Sequence, residues 1–244
     1  MNFNWTLFFQ SAPYGGGIYL NWLLDGVIVT LSLAITAWII AFVIGSLIGI
    51  MRTSKNRFIN LFAVSYIEFF RNIPLLIQMF IWYMLIPKLL SGSFKIWFMQ
   101  HLHPNIHIFI LASFALGLFT SARIAEQVRT GIQTLPLGQS YAGLALGLSK
   151  YQIYRYILMP NAYRKIIPTL TSEMTNIVKN SSVASTIGLL DIIGQIPRIN
   201  EATESIIPIL CGITLTYIII NYSIIVIMRK VEQKTRLPNM ASGG

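Results

Sequence analysis

Five apolar runs dominate the chain, at about residues 27–51, 58–87, 108–128, 166–190 and 206–228. Each run is long enough to cross the hydrocarbon core of a bilayer, about 30 Å thick, as an α-helix. Polar segments of different lengths separate the runs. The pattern predicts an all-α, polytopic membrane protein with five transmembrane helices.

Two of the predicted spans carry opposite charges three positions apart. Glu68 and Arg71 lie in the second span, and Arg123 and Glu126 lie in the third. Residues at this spacing share a helix face, so each can offset the charge of the other inside the membrane. We interpret both as structural pairs, and we expect Pro74 to break or kink the second span.

The fourth predicted span is unusually polar, and its polar residues recur near helical spacing: Ser172, Asn176, Lys179 and Thr186. A lone charge at mid-bilayer costs about 2.5–3.5 kcal/mol on insertion scales, so this face is expected to look at protein or water. In one interpretation Asn176, Lys179 and Asn180 line a substrate pathway. In the other, Lys179 is an interhelical clamp that pairs with Glu173 or Glu126.

The distribution of basic residues predicts the orientation. Lys and Arg number 18 against 8 Asp and Glu, and most of them flank the apolar runs. Basic clusters follow the first run, at residues 52–57, and the last run, at residues 229–236. The positive-inside rule then places the N-terminus outside and the C-terminus inside. This pattern explains the net charge of +10 without a nucleic-acid partner.

Composition excludes several classes of protein. The chain is 55% hydrophobic and 11% charged, with a mean hydropathy of +0.64, whereas roughly a quarter of the residues of soluble domains are charged. The single cysteine, Cys211, excludes a disulfide within the chain and a multi-cysteine metal site. His101, His103 and His107 have no carboxylate or cysteine near them in sequence. We interpret them as part of an exposed loop, and we expect no metal site.

The sequence lacks the motifs of common enzymes. It has no G-x-x-x-x-G-K-[ST], H-E-x-x-H or G-x-S-x-G segment. Transport or membrane scaffolding remains, and the polar residues within the spans favour transport. An ion-coupled carrier or channel subunit is an alternative at this point, as is a scaffold.

The stretch at residues 138–160 is the least membrane-like part of the apolar middle of the chain. Its apolar positions follow helical spacing: Tyr141, Leu144, Ala145 and Leu148. Gly147 can adopt the left-handed conformation that ends a helix. A second short helix is predicted to carry Tyr154, Ile157 and Leu158 up to Pro160. The pair forms either a docking surface or a solvated amphipathic loop.

Residues 141–160 resemble the cytoplasmic coupling loop of ABC-importer permeases, which reads E-A-A, three residues, Gly, nine residues, I-x-L-P. The matching positions are Ala142, Gly147, Ile157 and Pro160. The chain departs from the pattern at Tyr141, Gly143 and Met159, where family members have Glu, Ala and Leu. Residues 66–78, 122–139, 178–191 and 236–238 are similar to the polar amino-acid branch of this family, and most of all to glutamate/aspartate import permeases of Gram-negative bacteria.

This resemblance implies a single permease domain, residues 1–244, with the type I importer fold and a coupling loop at residues 132–165. The implied loop contacts to the ATPase are Tyr141, Ala142, Gly143, Gly147, Leu148, Ile157 and Pro160, and the small residues among them are expected to fit its groove closely. The implied partners are a cytoplasmic ABC ATPase dimer that binds ATP and Mg²⁺, a second and different permease chain, and a periplasmic amino-acid-binding protein. The chain itself would need no cofactor and would lie in the bacterial inner membrane. A permease for another polar amino acid is the nearest alternative.

Overall fold

The computed structural model of the protein describes residues 5–13 and 17–235. The α-helices of this part are α1 (Tyr19–Arg52), α2 (Arg57–Asn72), α3 (Leu75–Phe80), α4 (Ile86–Leu89), α5 (Gly92–Ile96), α6 (Pro104–Gln133), α7 (Leu137–Ala145), α8 (Lys150–Ile153), α9 (Met159–Ser181), α10 (Gln195–Thr203) and α11 (Ile206–Thr235). The described residues contain no β-strand, only one isolated bridge between Ser11 and Ile18. The predicted all-α class is confirmed, whereas the resemblance at residues 236–238 lies outside the described part.

Helices α1 and α6 form the centre of the fold because glycines let their backbones approach closely. A Cβ atom at Gly45 would lie 2.6 Å from the carbonyl oxygen of Ser121, and one at Gly49 would lie 2.7 Å from that of Ala125. Apolar side chains offer no net hydrophobic gain between helices in lipid, so such close packing is a main source of association there. The contact with α1 therefore fixes the position of α6.

Two clusters of buried side chains extend this contact in opposite directions along the helices. One joins α1, α6, α9 and α11 around Leu33, Leu116 and Ile177. The other joins α6 to α9 around Val128 and Ile166 and reaches the segment after α7. Helix α9 contributes to both clusters, so it connects the two ends of the protein.

Three helices of the described part are long and apolar enough to cross a membrane, namely α1, α6 and α11. The predicted break at Pro74 is confirmed, because α2 and the helical segment that follows it are bent by 101° there. Together these two pass as a fourth span. Helix α9 is not apolar enough to count as a span by its composition. The five-span arrangement and its orientation therefore stay predictions.

Several predicted boundaries were wrong because helices extend beyond the apolar runs. Helix α1 begins at Tyr19, about two turns before the predicted start. The predicted loop between the second and third spans is largely helical, with α5 continued by a wide turn at Trp97–His101. The predicted outer loop after residue 190 contains α10. Short amphipathic helices lack the long apolar run that marks a span.

Pro160 does not end a helix, contrary to the prediction. The wide π-helical turn Tyr154–Leu158 lies directly before it, and α9 then continues to Ser181. Proline lacks the N–H that an α-helix needs, and a π turn is a common place for a helix to absorb such an irregularity. The same arrangement occurs before Pro87, which follows the π turn Ile81–Leu85.

We expect the substitution Gly45→Ala to destabilise the protein by about 1–3 kcal/mol, since the new methyl group would overlap the backbone of α6. Denaturant titration in detergent micelles measures this free energy of unfolding. Gly138→Ala is the matched control, because nothing lies within 4 Å of a Cβ atom there. Equal stability of the two variants would contradict the close-packing argument.

Candidate functional site

A helical hairpin at residues 137–158 connects the C-terminal end of α6 to the N-terminal end of α9. Helix α7 forms its first arm, and α8 with the wide turn Tyr154–Leu158 forms its second. Ser149 begins the second arm with a capping box, in which its hydroxyl accepts from the Gln152 N–H and the Gln152 side chain accepts from the Ser149 N–H. The sequence therefore specifies both arms locally.

The turn between the arms requires a glycine, as predicted. Gly147 has a φ of +74°, the left-handed region that other residues adopt at a cost. The N–H of Leu148 donates to the carbonyl of Gly143 at 3.0 Å, and the N–H of Gly147 donates to that of Leu144 at 2.9 Å. These bonds satisfy the carbonyls at the end of α7 and set the angle between the arms.

The two arms of the hairpin leave no room for a side chain at Gly143. A Cβ atom there would lie 2.9 Å from Cγ1 of Ile153 and 3.0 Å from Cδ1 of Ile157. The two arms thus pack against each other through this glycine. The expected close fit to an ATPase groove is not needed to explain Gly143, whereas Ala142 lies exposed.

The hairpin presents apolar side chains to its surroundings. Tyr141 is 65% exposed, Leu144 53% and Leu146 78%. Leu148 and Ile157 are half-buried, and Pro160 is exposed. An exposed apolar surface with an ordered backbone is typical of an interaction site.

Arg155 places a charge beside this surface. Its Nη1 donates to the Tyr151 hydroxyl oxygen at 3.0 Å, and its guanidinium lies 5.9 Å from the Tyr156 ring centroid. The Tyr151 contact raises the pKa of the Arg155 guanidinium further, so this side chain stays cationic.

Hydrogen bonds connect the hairpin and the start of α9 to the membrane helices. Three of these bonds join side chains: Tyr154–Thr53 (3.0 Å), Asn161–Gln139 (3.3 Å) and Tyr163–Ser46 (2.6 Å). In the fourth, the Lys165 ammonium donates to the carbonyl of Thr134 at 3.1 Å. The four bonds join the hairpin to α9 and to the residue after α1, and they join α9 to α1 and to the residue after α6. A force on the hairpin would therefore reach these three helices.

The polar face of α9 contains all three predicted pathway residues. Asn176 and Asn180 are half-buried one turn apart, and Lys179 is exposed between them. Within the described residues Lys179 forms no ion pair. The structure therefore has no clamp between Lys179 and Glu173 or Glu126.

Glu173 pairs instead with residues of α6. Its Oε2 lies 3.6 Å from Arg123 Nε, and its Oε1 accepts from Gln127 Nε2 at 3.1 Å. Gln127 was not identified in the sequence, although it follows Arg123 by one helical turn on the same face. This buried group joins α6 to α9 directly beside the polar face.

The structure pairs the intramembrane charges differently from the prediction. Arg123 does not contact Glu126, which instead binds Arg129 at 2.7 Å. The two alternatives have the same spacing, so the sequence does not distinguish them. Glu68 and Arg71 are both exposed and form no ion pair within the described residues, and Glu68 accepts from Asn72 at 3.0 Å instead.

A buried carboxylate, Asp191, was not predicted from the sequence. It lies near the first half of α1, far from the hairpin. Asp191 has no exposed surface, and its Oδ1 accepts from the Gly194 N–H at 2.8 Å. The next N–H, of Ile192, donates to Oγ1 of Thr30 at 3.2 Å. These bonds hold the segment after α9 against α1, where Gly26 leaves room for its backbone.

The described residues include no group of three His, Cys, Asp or Glu side chains placed to hold a metal ion.

Comparison with known proteins shows what this arrangement resembles. The chain is 49% identical over its full length to the glutamate/aspartate import permease protein GltJ of Escherichia coli K12, of which it covers 99%. It is 28% identical over 96% of its length to the glutamate/aspartate import permease protein GltK of Escherichia coli O6:H1, of which it covers 98%. A crystal structure of an amino acid ABC transporter with histidines matches 88% of this chain and 95% of its own chain, with a TM-score of 0.73 and 29% identity.

The family assignment rests on most of the chain. The profile of the family described as binding-protein-dependent transport system inner membrane component matches residues 41–237. This range contains the hairpin, the polar face of α9 and the α6 residues that bind Glu173. The chain belongs to the binding-protein-dependent transport system inner membrane components, the permeases of ABC importers.

Proposed function

We propose that this chain is one of two permease subunits of an ATP-driven importer for glutamate and aspartate. The observation that carries the proposal is the anchored hairpin with an exposed apolar surface, at the position of the coupling loop of the family. The full-length similarity to GltJ supports the choice of acidic amino acids. The similarity to both GltJ and GltK supports a second permease subunit that is a different chain.

In this proposal the chain crosses the inner membrane of a bacterium five times, with α9 as the polar fourth span. The basic residues that follow α1 and end α11 favour an outside N-terminus and an inside C-terminus. This orientation puts the hairpin in the cytoplasm and α10 on the periplasmic side, where a binding protein would deliver the amino acid. The polar face of α9 needs protein or water around it, which a pathway between two permease subunits supplies.

The hairpin would transmit movement of the ATPase dimer to the membrane helices. The ATP and Mg²⁺ belong to that partner, and this chain contributes the contact surface of α7, centred on Tyr141, Leu144 and Leu146. When the ATPase dimer closes, it displaces the hairpin. The hydrogen bonds from the hairpin to α9 and the end of α1, and from α9 to α1 and the end of α6, then move these helices as a unit.

The amino-acid pathway would run along α9. Lys179 has the charge to attract a carboxylate, and the amides of Asn176 and Asn180 can bind the polar groups of an amino acid. Because Glu173 is occupied by Arg123 and Gln127, it leaves the Lys179 ammonium free of an acidic partner in the described part. An unpaired cation beside a water-filled pathway favours an anionic substrate.

Gly147 tests the coupling role through its backbone conformation. We expect Gly147→Val to reduce ATP-driven uptake at least about tenfold, since a β-branched residue at a φ of +74° costs about 1–2 kcal/mol or more and alters the angle between the arms. Gly147→Asn is the matched control, because asparagine tolerates this region. The assay compares uptake with ATP hydrolysis in proteoliposomes that contain the assembled transporter.

The coupling proposal also predicts where the defect lies. Gly147→Val should leave the amount of protein in the membrane unchanged while ATP is hydrolysed without import. Normal uptake by both variants would contradict a role of the hairpin angle in coupling. Gly147→Asp should likewise stay in the membrane and uncouple ATP hydrolysis from uptake, because a charged side chain at the turn would disturb the contact with the ATPase.

Lys179 tests the pathway. Lys179→Ala should leave assembly and thermal stability unchanged, because the side chain is exposed and forms no ion pair. The KM for glutamate uptake should rise about 10- to 100-fold through loss of a charged hydrogen bond. Lys179→Arg keeps the charge and should lose much less. Failure of Lys179→Ala to assemble would instead support an interhelical clamp.

A further inference from the structure

A cavity of about 640 Å³ lies between the end of α1, the turn at residues 53–56 and the second arm of the hairpin. The proposed transport mechanism uses the Thr53–Tyr154 bond in its wall but not the space itself. Met51, Ile59 and Tyr154 are among the residues that line it. It is therefore formed jointly by the membrane helices and the hairpin.

The charges of this cavity favour an anion. Lys55 and Lys150 line it from opposite sides, and both are exposed. No carboxylate is among its described lining residues, and neither lysine forms an ion pair in the described part of the chain. Ser54 adds a hydroxyl group that can donate to an anionic oxygen.

The walls of the cavity are ordered by hydrogen bonds. Thr53 Oγ1 lies 3.0 Å from the Tyr154 hydroxyl and donates to the carbonyl of Ile50 at 2.7 Å. Asn60 and Arg52 exchange two bonds, of 2.6 and 3.0 Å, across the same turn. The two lysines thus extend from backbone whose position is fixed, and a ligand need not order the cavity.

The apolar side of the cavity continues onto surfaces that face outward. Ile50, Met51 and Ile59 form this side. Beyond it, α2 exposes Phe58 and Leu61 in its first two turns. A ligand with a charged end and long apolar chains matches both parts, whereas a free inorganic anion would use only the lysines.

We propose that this cavity binds the head group of an anionic phospholipid, with Lys55 and Lys150 on its phosphate and its acyl chains along the exposed side of α2. Basic residues at the end of membrane helices attract such head groups, and an exposed tyrosine such as Tyr151 is typical of the membrane interface. The assignment of this lipid to the cytoplasmic leaflet rests on the orientation given under the proposed function. The binding itself rests on the cavity alone.

Native mass spectrometry of the full chain, purified in detergent and titrated with phosphatidylglycerol or phosphatidylethanolamine, tests this site. We expect the wild-type chain to retain phosphatidylglycerol selectively. The double variant Lys55→Gln/Lys150→Gln should bind it about 30-fold more weakly, since each basic residue near a head group contributes to the attraction. Arg229→Gln/Lys230→Gln, which removes two exposed charges outside the cavity, is the matched control and should weaken binding much less than the cavity variant does.

Three results would overturn the proposal. Equal retention of the two lipids would show that charge does not select the ligand. Equal loss in both double variants would place the effect outside the cavity, and displacement by millimolar inorganic phosphate would show a site for a free anion. Because the assay requires no transport, lipid binding can persist if the importer proposal fails, and it can fail while ATP-driven uptake persists.

Discussion

The close approach of α1 to α6 is the contact on which the other features depend. Gly45 and Gly49 let the two backbones meet where any side chain would separate them. Helix α6 then has a fixed face on which Arg123 and Gln127 receive Glu173 of α9. The hairpin connects the end of α6 to the start of α9. Its position therefore also depends on the contact between α1 and α6. Packing of small residues, and not hydrophobic burial, sets this geometry in lipid.

The structure separates a rigid framework from surfaces that need partners. Asp191 and its bonds close the framework at one end, and the hydrogen bonds of Tyr154 and Tyr163 close it at the other. The apolar side chains of α7 and the side chains of Asn176, Lys179 and Asn180 in α9 remain without equivalent partners in the described part. In the proposed importer, the first surface contacts the ATPase and the second lines the amino-acid pathway. This division explains why polar residues occur where lipid alone would disfavour them.

Local chemistry made part of this arrangement predictable. The break at Pro74 and the left-handed turn at Gly147 follow from single residues with strong backbone preferences. The prediction at Pro160 was wrong, because the π turn before it accommodates the missing N–H donor and the helix continues to Ser181. The partners of Arg123 and Glu126 were equally unpredictable, since each had two candidates at helical spacing or across helices. Contacts between helices are not visible in a single sequence.

In the proposed importer, ATP hydrolysis drives the import of acidic amino acids through the hairpin. Uptake of labelled glutamate, measured in cells with and without this chain, tests it when ATP depletion is compared with collapse of the membrane potential. The account predicts that chain-dependent uptake stops on ATP depletion and continues when only the potential is collapsed. Uptake that stops when only the potential is collapsed would identify an ion-coupled carrier and contradict the account.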